Sequence, residues 1–197
     1  DRLQVLALFD KPDPLDGPFF EETIYVTPSR LPAEVQLQIT SAAAQATRAL
    51  GLVEGPVHAE LRVNGQGAWV IEIAARSIGG RCSSILRFGT GMPLEELILR
   101  HALGMPIPSM EREQQAAGVM MIPIPGAGVL QEACGLAEAK TVVGIEDVSI
   151  TIPLGHVLVP LPEGSRYLGF IFAHADTPDG VERALREAHG RLEFIIE

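Results

Sequence analysis

The chain has 197 residues, enough for one large domain or two small ones with an ample core. Its net charge of −10 argues against a nucleic-acid surface, which needs a basic patch, and its apolar runs fall far below the ~18 residues of a membrane span. Two cysteines, Cys82 and Cys134, give no disulfide framework and suit a reducing, cytosolic setting, and no signal peptide is visible.

The chain opens on Asp1 and runs directly into an apolar stretch, Leu3 to Phe9, which reads as a buried strand. That opening suggests a piece of a longer protein. Lys11 to Pro18 reads as a Pro/Gly/Asp loop and Phe19 to Val26 as a second strand, with Lys11 solvated and Glu21 and Glu22 as edge charges. Pro32 suits the first turn of a helix over Ala33–Leu50. Val35, Ile39, Ala42, Ala46, Ala49 and Leu50 form its apolar stripe, and Gly51 stops it.

His58 to Ala74 carries the strongest signal. His58, Glu60 and Arg62 alternate with Ala59, Leu61 and Val63; Val70, Glu72 and Ala74 alternate with Trp69, Ile71 and Ile73. Such alternation marks two strands with one polar and one packed face, and Asn64-Gly65-Gln66-Gly67 marks the turn between them. A two- or four-residue loop would put Glu60 opposite Ile71. A three- or five-residue loop puts it opposite Glu72, with Cβ atoms roughly 4.5–5.5 Å apart. Gly67 suits the left-handed position of a three-residue bulged loop, which favours that register. Facing carboxylates repel, so the pair asks for a cation, and Mg²⁺ is the natural one for oxygen ligands. The bland alternative is a solvated strand face.

Arg76, four residues past Glu72, leaves the strand end near the same spot. Gly79 and Gly80 let backbone approach a ligand, so this loop is expected to help enclose a substrate, with Arg81 pairing with a substrate carboxylate. Cys82 is expected to pack. Ser83 to Phe88 reads as helical, Pro93 opens a helix closed by Gly104, and Met105-Pro106-Ile107-Pro108 reads as a linker and domain boundary. Beyond it, a strand over 119–123, a helix over 129–139, strands over 142–152, 156–161 and 167–173, a helix over 178–189 and a strand over 192–196 suggest an antiparallel α+β module. Gly126-Ala127-Gly128 lacks the third glycine of a dinucleotide loop, and His156 and His174 lack metal-ligand spacing, so none of these is given a role.

The residues GPVHAEL, then IEIAAR and the glycine pair, resemble the C-terminal part of the ATP-grasp ligase domain. Within that superfamily the chain as a whole is similar to carboxylate–amine ligases of the L-amino acid ligase type. The resemblance implies an α+β fold in two parts. Residues 1–107 would be the C-terminal lobe of an ATP-grasp domain, an antiparallel sheet with helices, and residues 108–197 a small α+β domain that helps wall the substrate pocket. It implies ATP and Mg²⁺, with Glu60 and Glu72 as the acidic ligands and Arg76 as the residue that stabilises the transferring phosphoryl group. Many members read E-x-N-x-R, with the Asn as a further metal ligand, where this chain has Ala74, so the number of metal ions stays open. The partners implied are a small-molecule carboxylate and an amine, amino acids among them, with room for a homodimer and with no nucleic acid or membrane. The family's N-terminal domain and lid strands lie outside these residues, so the piece alone is expected to be inactive. The alternatives are another ATP-grasp chemistry, of the biotin carboxylase or purine-pathway kind, or a non-catalytic remnant.

Overall fold

The computed structural model describes residues 3–14 and 21–197. In chain order the elements are β1 (Ile24–Thr27), α1 (Ala33–Ala49), β2 (His58–Asn64), β3 (Gly67–Ala74), a 3₁₀ turn (Cys82–Ile85), β4 (Arg87–Phe88), β5 (Met92–Pro93) and α2 (Leu94–Ala102). Then come β6 (Ala116–Ile122), β7 (Gly128–Cys134), α3 (Leu136–Lys140), β8 (Ile145–Ile150), β9 (Val157–Leu158), β10 (Gly169–Ala175), α4 (Pro178–His189) and β11 (Glu193–Ile196). Every strand pairing is antiparallel among the described residues, and the chain is mixed α and β, as the α+β reading requires. No described helix is long and apolar enough to cross a membrane.

Internal contacts divide the chain into two units, Asp1–Leu8 with Ser29–Gln114 and Phe9–Pro28 with Gln115–Glu197. The expected boundary after Ile107 ran in simple chain order. The observed division differs because β1 leaves its sequence neighbours and pairs with β6.

In the first unit, α1 packs on β3. Pro32 is its N-cap rather than its first-turn residue, and Gly51 closes it at φ +72. The buried positions are Ile39, Ala43 and Thr47, four residues apart. This stripe is turned from the expected one, and Leu50 is exposed. Thr47 can be buried because its hydroxyl donates to the Ala43 carbonyl at 2.8 Å. The expected helix over 83–88 is instead the 3₁₀ turn and strand β4. Cys82, Ile85, Leu86 and Phe88 are buried there with Leu94 and Leu97 of α2.

In the second unit the sheet order is β1-β6-β10-β8, with α4 across β6, β10 and β1. Thr177 caps α4 by accepting from the Gly180 N–H at 3.1 Å. A second sheet, β11-β7-β9, completes the unit. Two further expectations fail along the chain. Val129–Cys134 is a strand, because it pairs with β11 from the end of the chain, and Gly135 at φ +80 separates it from the short helix α3. Residues 3–9 carry no ladder and none of them is buried; only Asp10, just beyond them, bridges to Val26. The expected strand over 19–26 is observed from Ile24 to Thr27, and Phe19 and Phe20 lie outside the described residues. Gly128 is a packing glycine, since a Cβ there would lie 2.5 Å from Ile196 Cγ2.

The segment before β1 is held by charge. Lys11 is not a solvated loop lysine: it pairs with Glu22, which also accepts from the Tyr25 hydroxyl, and its ammonium lies 5.0 Å from the centre of the Tyr25 ring. Thr23 donates to Asp13, and Arg186 of α4 reaches Asp13 at 2.6 Å and Glu182 at 2.8 Å. Burial raises the Asp13 pKa, but the Thr23 hydroxyl and the Arg186 guanidinium outweigh it and hold the group below its ordinary 3.8. A carboxylate with a depressed folded pKa stabilises the fold above its unfolded pKa. That stability is lost as pH falls through the folded value. Asp13→Asn should therefore cost about 1 kcal/mol at pH 7, an amount set by the exposure of Arg186. Urea midpoints at pH 7 and pH 3 should converge for the variant relative to the parent. An unchanged difference would show that the Asp13–Arg186 contact contributes nothing.

Candidate functional site

The hairpin β2–β3 sets the site. Its ladder closes at Asn64↔Gly67, with Gly65 and Gln66 alone in the loop, and runs through Arg62↔Trp69 and Leu61↔Val70. A two-residue loop in a regular ladder would face Glu60 with Ile71. Instead the register shifts by one between Leu61 and Glu60, Ile71 is the extra residue, and Glu60 faces Glu72. The expected carboxylate pairing is therefore present, but a strand bulge creates it, not a three-residue loop.

The bulge also corrects the expected faces of β3. Trp69 lies opposite Arg62 and so shares the face of Glu60, while Val70 faces Leu61. Asn64 explains why this costs little: its side-chain oxygen accepts from the Gln66 N–H at 2.8 Å and from the Trp69 indole at 3.1 Å, so the exposed ring keeps a polar partner.

Around the facing glutamates the structure gathers two cationic or dipolar groups. Arg76 Nη2 lies 3.5 Å from Glu72 Oε1, and its Nη1 donates to the Ser77 carbonyl at 3.0 Å. His58 Nδ1 lies 3.5 Å from Arg76 Nη1, and His58 Nε2 lies 3.7 Å from Glu60 Oε1. Glu60, His58, Arg76 and Glu72 thus form a ring of neighbours. Side-chain exposure is graded across it: 11% for His58, 21% for Glu60, 49% for Glu72 and 52% for Arg76. The more buried half is the His58–Glu60 side, and the open side leaves Glu72 and Arg76 half exposed. His58 is the residue that sequence reasoning passed over. Its signal was its position two residues before Glu60 on the same strand face.

After Arg76 the chain turns through Ser77–Arg81. A Cβ on Gly79 would stand 3.9 Å from Arg76 Nη1, so that glycine flanks the guanidinium without touching it. Gly80 and Arg81 both take the left-handed region, at φ 59 and 56. Arg81 is the one described non-glycine residue there, and an L-residue in that region costs roughly 1–2 kcal/mol. Strain of this kind gathers at sites that bind ligands. Cys82, fully buried, packs as expected.

No group of three or more His, Cys, Asp or Glu among the described residues converges as a metal nest. The hairpin offers two hard carboxylates. That suits Mg²⁺, which takes one or two carboxylates and completes its shell with water and substrate phosphates.

Residues 2–85 match the family model of the ATP-grasp domain, and residues 120–197 match that of the L-amino acid ligase C-terminal domain 2. Among solved structures, the L-amino acid ligase from Bacillus licheniformis superposes on 98% of this chain at a TM-score of 0.82 with 32% identity. This chain covers 48% of that enzyme. The carnosine synthase 1 of Gallus gallus is 37% identical over 114 residues, 55% of this chain and 12% of the relative. Phosphoribosylglycinamide synthetase from Anaerococcus prevotii superposes on 89% of the chain and 46% of its own at a TM-score of 0.71, with 15% identity, a likeness of fold alone.

Proposed function

We propose that this chain, which matches the ATP-grasp domain model over residues 2–85 and the L-amino acid ligase C-terminal domain 2 model over residues 120–197, supplies the metal and phosphoryl-transfer part of an ATP-dependent ligase that joins a carboxylate to an amine. The observation that carries the reading is Glu60 facing Glu72 with Arg76 at 3.5 Å from Glu72. Because the chain spans about half the length of the solved ligase it matches, the complete activity belongs to the natural protein that carries these residues.

Glu60 and Glu72 would hold Mg²⁺, which when bound would offset the negative charge that gathers on ATP and the substrate carboxylate during phosphoryl transfer. Arg76 adds a fixed positive charge beside the same centre. An oxygen of the substrate carboxylate attacks the γ-phosphorus and ADP leaves, giving an acyl-phosphate. The amine nitrogen then attacks the acyl carbon, phosphate departs, and the amine loses a proton. The loop of Gly79, Gly80 and Arg81 lies next to Arg76 in sequence and helps enclose the acceptor, with the Arg81 fork suited to a substrate carboxylate. The substrates are small molecules, amino acids first among them. A cytosolic setting suits the two free cysteines, and a homodimer is compatible with the reading.

The test is phosphate release from ATP by the natural protein, with and without pooled amino acids, beside a Glu72→Gln variant. Release that needs the amino acids and vanishes in the variant is the expected result. Release from the parent no greater than background with the pool present overturns the amino-acid ligase reading.

A further inference from the structure

The ring of neighbours around the facing glutamates assigns a task to His58. A guanidinium has N–H donors and no acceptor, so the His58 Nδ1 that lies 3.5 Å from Arg76 Nη1 can only accept. The neutral ring then carries its proton on Nε2, the nitrogen 3.7 Å from Glu60 Oε1. We propose that His58 is a positioning residue that couples Arg76 to Glu60, holding the guanidinium with one ring nitrogen and aiming the carboxylate with the other. The proposal rests on the reading of Glu60 as a metal ligand.

Two features make the ring rigid enough for this. His58 is the least exposed member of the group, and its opposite number in the ladder is Ala74, whose methyl leaves the imidazole room on that face. Glu60 lies on β2 and Arg76 lies two residues beyond the end of β3, so local sequence does not tie them. The imidazole spans the gap, and a displaced Glu60 would displace Arg76 with it. Partners behind a metal ligand typically alter metal affinity or activity by 10- to 100-fold when removed.

The test uses the natural protein with Mn²⁺ and a non-hydrolysable ATP analogue, reading free Mn²⁺ by electron paramagnetic resonance. His58→Ala should weaken Mn²⁺ binding at least about 10-fold. His58→Gln should restore most of it, since a side-chain amide can accept from Arg76 and donate to Glu60 with a spacing close to that of the two ring nitrogens. Independently of any variant's folding, ¹⁵N spectra of the metal-free parent should show the His58 ring protonated on Nε2. Equal Mn²⁺ affinity in parent and His58→Ala overturns the role of His58 and leaves the ligase reading standing. A neutral ring protonated on Nδ1 overturns it too. A parent that binds no Mn²⁺-nucleotide, with Glu72→Gln indistinguishable from it, removes the ligase reading and this inference together.

Discussion

Arg76→Ala should lower turnover by about two to four orders of magnitude in the natural protein, with the fold unchanged. A preorganised donor aimed at charge that develops in the transition state is worth that much where water is excluded, because no reorganisation is needed when the reaction occurs. The geometry here suits such a role. Arg76 follows β3 by two residues, its amide donating to the Ala74 carbonyl at 2.9 Å, so its backbone is fixed by the strand end. Its guanidinium is held from three sides, by Glu72, His58 and the Ser77 carbonyl. The side chain is also half exposed, so truncation should change stability by only about 0.5 kcal/mol. The loss should therefore fall on turnover and leave the denaturation midpoint where it was. Arg76→Lys should recover part of the rate, since it keeps the charge and loses the planar fork. Near-normal turnover in Arg76→Ala would take this residue out of the mechanism.

The second large effect is one of stability. Gly118 lies in β6, the strand between β1 and β10, opposite Val26 on one side and Ala173 on the other. A Cβ there would stand 2.5 Å from Val181 Cγ1, 2.9 Å from the Tyr25 carbonyl oxygen and 3.2 Å from Leu185 Cδ1. The first and last belong to α4, whose Val181 and Leu185 are fully buried, and the carbonyl belongs to the paired strand. The side chains could turn aside; the carbonyl cannot move without breaking the ladder. Overpacking of this kind costs about 1–3 kcal/mol, and the backbone clash puts Gly118→Ala near the top of that span. For a unit of this size the melting temperature should fall by about 10 °C or more. Adding Val181→Ala should cost less than the sum of the two single changes, because it removes one of the clashing groups. Gly126→Ala, with nothing within 4 Å of its Cβ, should be nearly silent. Additive costs in the double variant would mean that α4 is not held off by Val181.

Residues that declare themselves locally were legible in the sequence. The hairpin, α1, α2 and α4 all follow from periodicity and punctuation, with Gly51 and Gly104 at helix ends and Thr177 at a start. What failed depended on partners far along the chain. Val129–Cys134, with Leu, Gln, Glu and Ala among its residues, reads as helix by propensity, and it becomes β7 only because β11 lies beside it. The apolar run at 3–9 has the composition of a strand, yet no ladder comes to meet it. In the candidate site, the facing of Glu60 and Glu72 could be argued from the spacing of the two residues. The means could not, because a bulge leaves no mark in a run as regular as Val70-Ile71-Glu72. His58 was visible as a member of the polar face. Its neighbours Glu60 and Arg76 were not, since a side chain that bridges a strand to a loop has no period.

The bulge at Ile71 also makes the hairpin tolerant of changes in its own length. Two carboxylates on opposite strands face each other only when the number of residues between them has the right parity, and a single insertion or deletion ordinarily inverts one strand. Here the extra residue absorbs the mismatch. Loss of Ile71 would leave a regular ladder in which the same two glutamates still meet, and one more residue in the turn could be carried by the loop while the bulge stays. Chain length in this hairpin is thus a free variable for evolutionary drift and for protein engineering. A search for kindred sites should anchor on the two glutamates and let the gap fall on either side of the turn.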